Sequence, residues 1–111
     1  MTKFYTNTFV KNVEAAAKNL AETLFKKYTT QAKDDTEQFL QAAKDGIARS
    51  ALLYQEKKID KEDLEDLIQG KKDLAEMHAL KQAGLASAAI DAFVNGVIQI
   101  MIDAAFAAMK I

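Results

Sequence analysis

Residues 82–111 read QAGLASAAIDAFVNGVIQIMIDAAFAAMKI and carry three charged side chains, Asp91, Asp103 and Lys110, whereas residues 1–81 hold 14 basic and 14 acidic ones. Sorted into rows of every fourth residue, which form ridges on a helix surface, this stretch separates into four lines. One is polar: Ser87, Asp91, Asn95, Gln99 and Asp103. One begins small, with Gly84, Ala88, Ala92 and Gly96, and continues as Ile100, Ala104 and Ala108. The other two are large and apolar, with Ile90, Val94, Ile98, Ile102 and Phe106 on one and Leu85, Phe93, Val97, Met101 and Met109 on the next. A helix over 85–110 that is wet on one ridge needs cover on its other sides. The row of Gly84, Ala88, Ala92 and Gly96 lets another backbone come close, as small-xxx-small faces do. The segment therefore reads as the hydrophobic centre of a bundle, completed by self-association into a dimer or larger assembly. Left bare, it would form an apolar patch larger than monomers tolerate.

The preceding sequence supplies the helices to pack against it. Phe9, Val10, Val13, Ala16, Ala17, Leu20, Leu24 and Phe25 recur at helical spacing opposite Lys11, Glu14, Lys18 and Glu22, which predicts a helix over 7–29. Asp34 followed by Glu37 has the form of a capping box, and Phe39, Leu40, Ala43, Ile47, Ala51 and Tyr54 continue a stripe over 34–57, with a turn in 29–35. After Lys57 and Lys58, Asp60 stands three residues before Asp63, and Ile59 can staple onto Leu64. Glu62, Asp63, Glu65 and Asp66 favour the positive end of the dipole of a third helix over 60–82, which Gly84 stops. Twenty alanines, no proline and a sustained period near 3.6 make the chain all-α: one domain over 1–111, an antiparallel four-helix bundle with no paired strands.

Composition narrows the chemistry. Without cysteine there is no thiol nucleophile, thiolate metal site or disulfide. One histidine, His78, cannot supply the paired motifs of a di-iron bundle or a zinc protease, and it reads as a surface helix residue. No nucleophile, base and orienting acid assemble from the remainder, so no catalytic residue, metal or cofactor is assigned. Asp91 with Asn95, and Gln99 with Asp103, lie one turn apart as oxygen ligands of a cation could, but a polar line on a mostly buried helix reads first as its solvated strip. Met77, Met101, Met109, Phe93 and Phe106 could line a pocket for an apolar ligand and read better as core. The lysine pairs 26–27, 57–58 and 71–72 are separated by acidic residues and belong to solvated faces.

Partners follow from the same reading. A net charge of −1 and a pI near 5.8 give no electrostatic case for nucleic acid. The run 75–96 loosely resembles a helix-turn-helix, yet its second helix would offer Asp91 and no cation to the phosphates. The twenty residues 83–102 carry one charge, which makes membrane contact the rival reading. Asp91 in their middle costs about 2.5–3.5 kcal/mol on insertion. Residues 1–10 have no apolar run of signal-peptide length, which predicts a cytoplasmic location. The sequence thus points to a non-enzymatic protein-protein interaction or self-assembly module, with lipid contact or an apolar ligand as alternatives.

Overall fold

A computed structural model describes residues 3–110, and the side chains of 3–109. In chain order it contains strand β1 (Lys3–Phe4), helices α1 (Thr6–Leu24), α2 (Thr29–Gln55) and α3 (Lys61–Gly70), a 3-10 turn (Lys71–Leu74), helices α4 (His78–Gln82) and α5 (Ser87–Ala107), and strand β2 (Met109–Lys110). The fold is all-α, 80% helical. α5 packs most extensively on α1, α1 on α2, and α3 and α4 close the remaining sides against α2 and α5. At 1.5 Å per residue the 27 residues of α2 span about 40 Å, which sets the 45 Å long axis of the molecule.

In α1 the buried residues Phe9, Val13, Ala17 and Ala21 are four apart, so one narrow ridge enters the core. The break that follows lies at 25–28, earlier than the expected turn in 29–35. Aromatic packing explains the position: the Phe25 ring stands 5.4 Å from Phe93 and 6.4 Å from Tyr28, so burying Phe25 turns the chain without glycine or proline, with Lys26 left-handed at φ 61°. Because α2 begins at Thr29, Asp34 lies inside the helix and forms no capping box with Glu37. α2 ends in a Schellman motif, in which the Lys58 N–H donates to the Leu53 carbonyl at 2.9 Å and the Lys57 N–H to the Tyr54 carbonyl at 3.0 Å.

Asp60 caps α3. Its Oδ1 accepts from the Asp63 N–H at 2.8 Å, and Asp63 Oδ2 accepts in return from the Asp60 N–H at 3.1 Å. Ile59 is half-buried against the core that contains Leu64. The single helix expected over 60–82 is, however, two helices. The chain leaves α3 through the 3-10 turn, reverses at Met77 in the left-handed region (φ 55°), and restarts at His78. The cause is tertiary: the buried Asp35 carboxylate of α2 accepts from the Ala79 N–H at 2.9 Å and the Leu80 N–H at 2.8 Å, supplying a helix start that no local residue provides. Gly84 (φ 87°) ends α4 in a second Schellman motif, its N–H donating to the Lys81 carbonyl and that of Leu85 to the Leu80 carbonyl.

The last helix stops at Ala107 rather than 110, because Met109 and Lys110 pair antiparallel with Phe4 and Lys3. The Tyr5 N–H adds a bond to the Ala108 carbonyl at 2.8 Å. On the other edge of β1 the Gln55 amide acts as a further strand: its Oε1 accepts from the Lys3 N–H at 3.1 Å and its Nε2 donates to the Lys3 carbonyl at 2.9 Å. The expectation of no paired strands is corrected by this two-residue clasp, which adds no sheet layer to the all-α fold. The core is one cluster, with Phe9, Phe39, Phe93, Leu40, Ile47, Leu64, Ile68, Leu80 and Met101 fully enclosed.

Candidate functional site: the outer face of the last helix

The two large ridges of α5 are covered within a single chain. Ile90, Val94, Ile98 and Ile102 are buried on one, and Phe93, Val97, Met101 and Met109 on the other. Leu85 and Phe106 are half-buried against the same cluster, Phe106 edge-on to Tyr54 at 5.4 Å. Helices α1 to α4 thus cover the two ridges that carry most of the apolar area, which leaves the polar row and part of the small row facing outward.

The small row divides. Gly84 is exposed and lies in the turn ending α4, outside α5, so its lack of a side chain serves the left-handed turn and not a helix ridge. Ala88 and Ala92 are exposed on α5. Gly96 is half-buried beneath Leu20 of α1, placed so that a Cβ would collide with Leu20 Cδ2. Below it Ile100 is half-buried and Ala104 and Ala108 are buried, so this part of the row is used inside the molecule. The Leu20 side chain of α1 thus packs onto Gly96, while Ala88 and Ala92 face outward.

The polar row Ser87, Asp91, Asn95, Gln99 and Asp103 is exposed along its length. Gln99 Nε2 donates to Asp103 Oδ1 at 3.3 Å, one turn away. Two open grooves border the row. One lies between Asn95, Ile98 and Gln99 on α5 and Gln69 and Lys72 across from them, and the other among Lys81, Leu85, Ser87, Ile90 and Asp91. Polar and small rows together give α5 an outer surface of alanine methyls flanked by carboxylates and amides. Such a surface can accept hydrogen bonds and a close backbone.

Elsewhere, His78 is exposed and its Nε2 meets Glu76 Oε2 at 2.6 Å. Among the described residues no three His, Cys, Asp or Glu side chains converge as metal ligands would. Met77, Met101, Met109 and Phe93 are packed into the core. Sequence reasoning missed Asp35, Thr36 and Gln55, three polar side chains with tertiary roles or tertiary burial. No local pattern marks them, because their partners stand on other elements.

The class defined by this geometry is a small all-α protein with one half-exposed C-terminal helix. No family model matches the chain, and comparison with curated proteins and with solved structures finds no match.

Proposed function

We propose that this protein is a non-enzymatic protein-protein interaction module of the cytoplasm, whose long helices form an antiparallel four-helix bundle and which self-associates through the outer face of α5. The observation that carries the reading is the exposed pair Ala88 and Ala92, one turn apart and bordered by Ser87, Asp91 and Asn95. A strip of methyl groups beside hydrogen-bonding groups favours a second helix packed nearer than the usual 8–10 Å between axes, with polar contacts fixing its register. A second copy of the chain offers the complementary strip by symmetry.

Light scattering on the purified chain tests this. The expected mass is a multiple of the 12.3 kDa monomer, and Ala92→Leu, which fills the strip, is expected to weaken association at least tenfold while leaving the helical circular dichroism unchanged. A mass of one chain at all concentrations refutes self-association.

A second reading, contact with lipid, is supported by the 21-residue length of α5 and the mean hydropathy of 1.5 over an 18-residue stretch of it. Half of that stretch is buried inside the molecule, which favours a core helix. Co-sedimentation with liposomes distinguishes the two readings.

A further inference from the structure

Residues 77–85 are tied to the rest of the molecule at few points. Met77 and Gly84 stand near the two ends in left-handed backbone, at φ 55° and 87°, a conformation that sterics disfavour for a methionine. Between them lies α4, whose five residues are too few to persist as a helix alone. The backbone bonds of the segment close on themselves: the Lys81 N–H donates to the Met77 carbonyl at 3.1 Å, Ala83 to Ala79 at 3.0 Å, Gly84 to Lys81 at 3.0 Å and Leu85 to Leu80 at 3.3 Å. Among the described residues, the hydrogen bonds that join the segment to other elements are the two that Asp35 accepts, from Ala79 at 2.9 Å and Leu80 at 2.8 Å. Two of its side chains, Met77 and Leu80, are buried, while His78, Lys81, Gln82 and Gly84 are exposed.

The frame beneath is held differently. Helices α1, α2 and α5 pack on one another along 19, 27 and 21 residues and carry most of the buried side chains. Lifting any of them dismantles the core. Lifting residues 77–85 gives up two hydrogen bonds and the burial of two side chains, and it returns backbone freedom to the whole segment and releases the left-handed methionine. Both hydrogen bonds end on one carboxylate, so they are made and lost together.

We propose that residues 77–85 form a latch that opens as one unit while α1, α2 and α5 stay folded, with the buried Asp35 carboxylate as its catch. Opening bares Met77 and Leu80. It also removes one wall of the groove at the start of α5, which Lys81 and Leu85 of the latch line together with Ser87, Ile90 and Asp91. The closed latch thus fixes the shape of one flank of the outer surface of α5.

Native-state hydrogen exchange in low urea on the intact chain, with Asp35→Asn and Leu20→Ala beside the wild type, tests the latch. In the wild type the amides of Ala79, Leu80, Lys81 and Ala83 are expected to share one opening constant, at least tenfold larger than that of the mid-helix amides of Ala17 and Val97. It is expected to change little with urea, because the opening exposes little surface, whereas the constant at Ala17 and Val97 rises steeply. Asp35→Asn raises the latch constant about tenfold. Leu20→Ala, in a seam that the open form keeps, raises the constant at Ala17 and Val97 and leaves that of the latch within twofold. Latch amides that share the constant and the steep urea dependence of Ala17 and Val97 overturn the proposal, as do latch amides that open with unrelated constants. An unchanged latch constant in Asp35→Asn overturns the catch, and equal increases at both sets of amides in Leu20→Ala overturn the separate opening.

Discussion

Asp35 shows how one side chain can decide a helix boundary 44 positions away. Its carboxylate is buried and its two oxygens receive the N–H groups of Ala79 and Leu80, which orders the first turn of a five-residue helix too short to stand alone. Bonds of this charge-assisted kind contribute about 1.5–3 kcal/mol, and their loss strands buried donors. Asp35→Ala is therefore expected to lower stability by about 2–3 kcal/mol in urea denaturation. Asp35→Asn, which keeps one acceptor, costs less. Equal stability of Asp35→Ala and wild type would contradict this role. Asp60 was legible in the sequence because its cap closes on Asp63, three residues on, whereas the neighbours of Asp35 resemble a local capping box at Asp34 and Glu37 and conceal the long-range one. Met77 was equally opaque: a left-handed methionine carries no breaker signal, and the position is imposed by what Asp35 holds next to it.

At the scale of the element, the four rows of α5 were legible because packing follows the 3.6 period: the two large rows face in and the polar row faces out. The sequence could not say which neighbour the small row serves. It serves two environments, α1 at Gly96 and the outside at Ala88 and Ala92. The contact at Gly96 gives a coupled prediction. Gly96→Val forces a side chain into the space of Leu20 and is expected to cost about 1–3 kcal/mol. In a Leu20→Ala background the same change is expected to cost clearly less, because the colliding methyl has been removed. A double-mutant cycle by chemical denaturation reads the coupling, and strict additivity would contradict direct packing of α1 on this glycine.

For the molecule as a whole, the alanine content, the missing proline and the helical period declared the all-α class, and the structure agrees. The terminal clasp was invisible, since two-residue strands have no periodicity and their partners lie at opposite ends of the chain. The large rows of α5 need no partner, so the case for self-association rests on the exposed Ala88 and Ala92 strip and its polar border. The chain contains no cysteine, and Ala92→Cys therefore places a single thiol at the centre of the strip. A disulfide forms only where two Cα atoms approach within about 4.4–6.8 Å, a demand that chance collision of well-spaced surfaces rarely meets. Mild oxidation of Ala92→Cys is the most direct test, with Ala15→Cys on the exposed side of α1 as the control. The account predicts rapid, near-complete covalent dimer from Ala92→Cys and slow, partial cross-linking from Ala15→Cys, whereas equal rates at the two positions would contradict an interface on α5.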